Sequence, residues 1–449
     1  MPIKQQLFYP NFAMKALYQL YLDHPFVFID TRKELLNGIF VAVGQKDERG
    51  AHRGNQFATF AIESGKAAYA LINDVDLKEK YKEDDRYIFV EDGEKTLQDL
   101  AKYHRQQLTC PIIAIAGSNG KTTLKELLSR VLSSQYKTFA TRGNLNNHLG
   151  VPLSLLSIDS SYEMAILEIG ANHLEETRFL AEIIEPDYGL VTNCGKDHLG
   201  EYGSIENIIK ANKELYDVLA EMDRTAFVCT NDSLLVDISA AITKRIFYGK
   251  TATVKAQILA RPFLKFCLQI DDFETTVQTN LFGQFWLDAL LGAAAVGHHF
   301  GIAGTTIKNA LESYQPAALR SQLIEWNGNK VLLDCYNANP SSMEVFLAEI
   351  QASSLQASQI LILGEMLELG AYSVAEHQQL IDRINWEAFK AVFLVGAAFL
   401  EVSFPPAKQL HYFENKAAVE DYLSKQDYQQ CYFFVKGSRG NRLEELFVD

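Results

Sequence analysis

The chain has no pair of cysteines in C-x-x-C spacing. Its six cysteines, Cys110, Cys194, Cys229, Cys267, Cys335 and Cys431, are scattered, several of them in or beside apolar stretches. That pattern excludes a zinc cluster and a disulfide framework, and it suits reduced thiols in a cytoplasm. No apolar run is long enough to span a bilayer, and residues 1–8 contain no signal-peptide h-region. A cytoplasmic protein without membrane insertion is therefore expected. Basic residues are in deficit, with 42 Lys and Arg against 56 Asp and Glu, a formal net charge of −14. Such a balance disfavours nucleic-acid binding, which draws its affinity from cations on phosphates. An anionic small molecule needs only a local positive patch. No internal repeat or low-complexity tract is visible.

What is present is a chain of 449 residues, 48% hydrophobic and 11% aromatic, enough for two to four packed domains. Its central stretch is residues 111–124. The apolar run 112–116 predicts a buried parallel strand, and 121–132 predicts a helix. Between them stand Gly117, Ser118, Asn119 and Gly120, followed by Lys121, Thr122 and Thr123. Strand, glycine loop and helix in that order form a phosphate-binding loop. Glycines let backbone N–H groups approach a polyphosphate, and the helix dipole favours its charge. Lys121 would reach the terminal phosphates, and the Thr122 hydroxyl the Mg²⁺ carried by ATP. The longer G-x-x-x-x-G-K form needs glycine at position 115, where this chain has Ile115. An ordinary Gly-Lys-Thr turn into a helix is the plainer alternative, and it leaves the second glycine and second threonine unexplained.

Residues 1–107 read as a small α/β module, with strand patterns at 26–30, 38–43 and 67–72 and an amphipathic helix over 94–107. Thr31 and Arg32 follow its first strand, where α/β sheets place ligand groups, although a solvated turn residue is an equal reading for Arg32. Residues 108–315 read as a doubly wound α/β domain, with strands at 164–169, 188–192 and 226–229 alternating with helices at 175–184 and 205–222. Glu168 sits inside an apolar strand. A buried carboxylate needs a partner or a cation, which points to a metal. His198 suits a hydrogen-bonded structural role as well as ligation. Asn144, Asn146 and Asn147 crowd one polar loop, suited to binding or to plain turn chemistry. Residues 250–282 read as β-rich and 287–300 as a core helix. Residues 316–449 form a third α/β module with strands at 330–334, 359–363, 391–395 and 431–435. Their polar ends suggest a site along one edge, made positive by Lys436 and Arg439.

Several strings carry a resemblance. They are the phosphate loop, residues 143–147, 167–171, 193–198 and 319–322, the Tyr-Asn-Ala-Asn-Pro string at 336–340, the Leu-Gly-Glu-Met-Leu-Glu-Leu-Gly string at 363–370, and 435–439. Together they resemble the Mur ligases of peptidoglycan assembly, and within that family the branch that adds D-alanyl-D-alanine to UDP-N-acetylmuramoyl-tripeptide. The resemblance implies an N-terminal UDP-sugar domain, a central ATPase and a C-terminal Rossmann-like acceptor domain in a monomeric chain. It implies an ATP-dependent carboxylate–amine ligase working through an acyl phosphate. By it, Lys121 contacts phosphate, Thr122 and Glu168 hold one Mg²⁺, and His198 helps hold a second. Gly117, Ser118, Asn119, Gly120 and Thr123 complete the ATP cradle, with Arg320 and Asp334 on the phosphate and ribose. Asn337, Asn339, Lys436 and Arg439 line the acceptor site, Thr31 and Arg32 open the uridine region, and Asn146 and Asn147 belong to the substrate loop.

Three places depart from the family's pattern. A lysine, carbamylated in several members, is usual where this chain has Asn212. Lys213, one residue on and about 100° round a helix, is the candidate left to stand in for it. Trp286 and Ala289 stand where asparagines are usual beside the adenine, and Trp286 can stack on a purine or fill space. Arg53, Gly54 and Asn55 replace a string of the Asp-Gly-His type. An active ligase is the first reading. A sister ligase with another acceptor, or a paralogue that binds nucleotide or UDP-sugar with little catalysis, are the alternatives.

Overall fold

The computed structural model describes residues 10–33, 36–316, 319–353, 355 and 358–448. Strands and helices alternate along almost the whole chain, and the α/β class expected from the sequence is what the structure has. There are three sheets. The first holds β1 (Val27–Phe28), β2 (Gly38–Val41), β3 (Ala67–Ile72) and β4 (Tyr87–Phe89), parallel and in sequence order. The second holds β5 (Ile112–Ala116), β6 (Thr138–Ala140), β7 (Met164–Glu168), β8 (Tyr188–Val191), β9 (Thr225–Cys229), β10 (Lys244–Tyr248), β11 (Val254–Ala260), β12 (Phe263–Ile270) and β13 (Phe273–Phe282). Their order is β13-β12-β11-β10-β9-β8-β5-β7-β6. The antiparallel β11, β12 and β13 make the β-rich stretch expected near 250–282. The third sheet holds β14 (Gln322–Trp326), β15 (Asn329–Asp334), β16 (Gln359–Gly364), β17 (Ala391–Val395), β18 (Leu410–Phe413) and β19 (Tyr432–Lys436) in the order β14-β15-β19-β16-β17-β18. Only β14 runs antiparallel to its neighbour.

The chain forms two compact units, each assembled from separate stretches. The first takes the chain up to Ala114, then Tyr136–Ala171 and Glu176–Tyr188; the second takes Ile115–Gln135, Asn172–Glu175 and everything from Gly189 onward. In the first unit, Phe28, Phe40, Ala58, Ile62 and Ile72 close a small core between the first sheet and helix Ala58–Glu63. The alternation of apolar residues at helical spacing in Gly93–Arg105 buries Leu97, Leu100 and Ala101, and Asp92 caps it by accepting from Lys95 N.

In the second unit one apolar cluster runs from Leu199, Tyr202, Ile208, Ala211 and Phe282 into Leu332, Phe346, Leu361 and Phe434 of the third sheet and its helices. The third sheet therefore shares a core with the elements that follow the phosphate loop. Burial of this kind, at about 25 cal/mol per Å² of apolar surface, is the main force holding that lobe in place. All six cysteines are free thiols, and burial pushes Cys194 and Cys229 up to about 12, so both stay protonated at neutral pH. Among the described residues no helix is long and apolar enough to cross a membrane.

Candidate functional site

The phosphate loop is built where the sequence puts it. β5 is wholly buried and delivers the chain into Gly117 at φ +128. A Cβ there would lie 2.0 Å from Thr192 Oγ1 and 2.8 Å from Thr192 N, so only glycine fits. Gly120, at φ +81, caps helix Lys121–Leu132 in the left-handed region with no side-chain cap. The first turn of a helix that starts this way presents backbone N–H groups of the kind that bind an anion. Lys121 Nζ lies 2.5 Å from Gly117 O and 3.3 Å from Ser118 O, folded back over its own loop.

The next strand end braces the loop. Ser118 N donates to Asn193 O at 2.9 Å, and Ser118 Oγ donates to Gly195 O at 3.0 Å. Asn193 accepts from Asn119 N at 3.3 Å and donates to Asn119 O at 2.9 Å. Asn212 is buried, and its Nδ2 donates to Ile208 O at 3.0 Å and lies 3.4 Å from Ser118 Oγ. Lys213 is not brought to the loop: it is ion-paired with Asp217 along its own helix. The physical reason is the helical turn of about 100° that separates neighbouring residues. Trp286 does approach the loop, with Cζ3 3.7 Å from the position a Gly120 Cβ would take. Its buried Nε1 has no hydrogen-bond partner among the described residues.

The third lobe brings its own groups to this loop. Arg320 Nη2 donates to Thr122 Oγ1 at 3.1 Å while its guanidinium stacks 3.9 Å over Tyr336. Asp334 Oδ1 accepts from Ser321 N at 3.2 Å, and Oδ2 accepts from the buried Lys436 Nζ at 2.5 Å. Lys436 also reaches Asn337 O at 3.3 Å. Asn339 donates from Nδ2 to Asn119 Oδ1 at 2.8 Å. Arg439 pairs with Glu444 at 2.9 Å. His198, held at φ +43, places Nδ1 2.9 Å from Glu368 Oε2, an ion pair when the imidazole is protonated.

Sequence reasoning missed Lys196, whose N donates to Ser341 Oγ at 2.7 Å and whose Nζ reaches the buried Glu376 at 2.7 Å. The only signal for Glu376 was an acidic residue within a half-apolar helix.

In the first unit Glu168 is 3% exposed at the end of β7, and Oε1 accepts from Asn146 Nδ2 at 2.8 Å. Asn147 Oδ1 accepts from Leu149 N and Gly150 N at 3.2 and 2.9 Å, which is turn chemistry. Arg32 is 89% exposed in its side chain and doubly bonded to Asp30, which holds the Asp30 carboxyl at about 2. Thr31 O accepts from Lys66 Nζ at 2.8 Å. A separate cavity of about 640 Å³ in this unit is lined by Asp47, His52, Asn55, Gln56, Thr59 and Asp74, among others.

Mg²⁺ prefers hard oxygens and is usually held by one or two protein groups plus substrate phosphates. The Thr122 hydroxyl beside the loop and the buried Glu168 carboxylate are donors of that chemistry. Among the described residues no group of three His, Cys, Asp or Glu side chains stands together as an all-protein metal cage. For a second ion the residues do not fit. Asn212 is a neutral amide already bonded to Ile208, and Lys213 is held by Asp217.

The family model of the Mur ligase middle domain matches residues 115–297, and that of the Mur ligase glutamate ligase domain matches residues 319–439. The UDP-N-acetylmuramoyl-tripeptide--D-alanyl-D-alanine ligase of Bacillus subtilis (strain 168) is 31% identical over 430 residues, covering 94% of this chain and 92% of that protein. This chain belongs to the Mur ligase family. As a Mur ligase it is an ATP-dependent amide ligase of peptidoglycan synthesis. Among solved structures, MurF from Acinetobacter baumannii superposes with a TM-score of 0.81 at 28% identity, over 94% of this Mur ligase and 92% of that chain. MurF of Thermotoga maritima, solved in complex with ADP, shares the fold with a TM-score of 0.80 at 22% identity, over 94% and 95% of the two chains.

Proposed function

We propose that this Mur ligase joins the amine of D-alanyl-D-alanine to the terminal carboxylate of UDP-N-acetylmuramoyl-tripeptide, converting ATP to ADP and phosphate. The observation that carries this reading is the contact of Arg320 and Asn339 of the third lobe with Thr122 and Asn119 of the phosphate loop, within one unit. The names of the relatives in Bacillus and Acinetobacter, and the ADP in the Thermotoga protein, support the choice of substrates and nucleotide. The regions 1–107, 108–315 and 316–449 are assigned to the UDP-sugar, to ATP and to the acceptor.

A carboxylate and an amine do not condense at neutral pH, because hydroxide would have to leave. The tripeptide carboxylate attacks the γ-phosphorus of ATP, and ADP departs, leaving an acyl phosphate. The free amine adds to that carbonyl, loses a proton, and the tetrahedral adduct expels phosphate. Little covalent work falls to the protein, so positioning and charge neutralisation carry the rate. The uncapped N–H groups of Lys121–Leu132 and Lys121 Nζ take the β- and γ-phosphates. Arg320, fixed between Thr122 and Tyr336, adds positive charge beside them. Asp334 takes a ribose hydroxyl. Lys436 and Arg439 bring positive charge to the acceptor's side, suited to its carboxylate. Mg²⁺, when bound, would neutralise phosphate charge, with Thr122 and Glu168 as the oxygen donors assigned to it. Thr31, Arg32, Asn146 and Asn147 are assigned to the UDP-substrate. A cytoplasmic, monomeric enzyme completes the reading.

The test is phosphate release from ATP with UDP-N-acetylmuramoyl-tripeptide and D-alanyl-D-alanine. Release that requires both supports the reading, while release with either alone, or none with both, overturns it. One observation favours a second reading, a nucleotide-binding paralogue with little turnover: the neutral Asn212 amide at Ser118. Tight ADP binding without turnover of any acceptor in a panel of amino acids and dipeptides would select it.

A further inference from the structure

Asn339 has two jobs that its amide divides cleanly. Its Oδ1 accepts from Ser342 N at 2.9 Å, and Ser342 Oγ accepts from Asn339 N at 3.0 Å, a capping box that starts helix Pro340–Gln351. Because Oδ1 faces a backbone donor, the orientation of the amide is fixed by the cap. Nδ2 is then the group that meets Asn119 Oδ1 at 2.8 Å, and both side-chain atoms of Asn339 are spoken for. The residue is 5% exposed. Its second Nδ2 hydrogen and the second lone pair of Oδ1 belong to a side chain with almost no surface turned outward for an acceptor.

The same helical turn grips the loop's other support. Ser341 Oγ accepts from Lys196 N at 2.7 Å, and the segment around Lys196 holds the loop through Gly195 O and Asn193. A Cβ on Gly195 would come within 2.8 Å of Asn119 Nδ2 and 3.1 Å of Ser341 Cβ, so the three elements close on one another there. Asn119 is thus held on its backbone by Asn193 and on its side chain by Asn339, on the third lobe.

We propose that Asn339 is a positioning residue that sets the geometry of the phosphate loop through Asn119, and that it does not contact the acceptor. This rests on the nucleotide-dependent ligase reading above and says how the acceptor lobe acts on the nucleotide site. With the bridge made, the loop's N–H groups are held for the phosphates. Without it, Asn119 samples other rotamers and the ordering falls to the nucleotide.

The experiment uses the full chain and the substitution Asn339→Ser. Serine keeps an N-cap acceptor of equal rank for the helix but has no amide to reach Asn119. ADP with Mg²⁺ is the calorimetric probe, alongside thermal melting and steady-state kinetics. The expected result is ADP affinity reduced about three- to tenfold, the range for one neutral hydrogen bond. KM for ATP should rise similarly, with KM for D-alanyl-D-alanine unchanged and the melting temperature lowered less than in Asn339→Ala, which loses the helix cap as well. Asn119→Ala should weaken ADP as well, and adding Asn339→Ser to it should weaken ADP no further. Unchanged ADP affinity in Asn339→Ser, a raised KM for the dipeptide alone, or a fall in melting temperature equal to that of Asn339→Ala would each overturn the proposal. Failure of the unaltered chain to bind ADP would overturn the ligase reading itself, and the proposal with it.

Discussion

His377 is fully buried, with Nδ1 2.8 Å from Ser373 O and Nε2 3.0 Å from Met366 N, which it accepts as a neutral ring. Burial holds its pKa below the ordinary 6.5, and His104, buried against Tyr18 and Ile158 O in the first unit, is lowered for the same reason. The unfolded chain therefore binds more protons than the folded one at mildly acid pH. The stability these two rings contribute is whole above the ordinary value of 6.5 and is lost as pH falls through their folded values. The melting temperature should drop between pH 7.5 and 5, and His377→Gln should drop less over that interval. At the same scale, Gly117→Ala must push a methyl into Thr192 from a left-handed backbone. Loss of ADP binding by at least about tenfold, read by calorimetry, is the expected outcome for a displaced loop. The placing of Gly117, Gly120 and Lys121 between a buried strand and a helix was legible in the sequence because such a loop is local: six or seven consecutive residues dictate it. Asn212 and Lys213 show the limit. Their chemistry was plain, but which one faces Ser118 depends on the rotation of helix Ile205–Glu221 against its neighbours.

Among the elements, the long apolar runs were read to within a residue or two. β3, β5 and β17 and helix Lys121–Leu132 match the expected spans, since buried parallel strands and amphipathic helices carry strong periodicity. The missed strands are short or mixed. β4 is three residues, β18 is half-buried throughout, β10 opens on Lys244 and Arg245, and β14 mixes Gln322 and Glu325 with apolar residues. Contacts between elements were the least legible part. Lys196 and Glu376 meet across 180 positions of sequence, which no local pattern reports. Replacing Lys196 with Met strands the buried Glu376 carboxylate. The expected destabilisation is on the order of 2 kcal/mol in urea unfolding, below the full figure for a buried pair because the Lys196 side chain is 30% exposed. Phe282 offers a sharper test of the shared core. It is 1% exposed and 5.5 Å from Phe434, centroid to centroid. Phe282→Ala should remove about 3–5 kcal/mol by the same measurement.

At the scale of the molecule, the family and the α/β class were recoverable from strings spread over nearly all of the chain. The partition into two units was not, because each is stitched from stretches that alternate along the sequence. The phosphate loop and its partners from the third lobe all belong to the second unit. Saturating ADP, at about 100 times its dissociation constant, should stabilise the protein by about 2.7 kcal/mol. Hydrogen exchange should show that protection concentrated at Ile115–Gln135, around Asn193 and at the start of Pro340–Gln351. The pairing of Asn119 with Asn339 spans 220 positions, and this separation matters during synthesis as well. At about 5–20 residues per second, a ribosome that has released the glycine loop needs roughly 10–40 s more to release its brace, so the nascent chain carries a half-built site for about half of its manufacture.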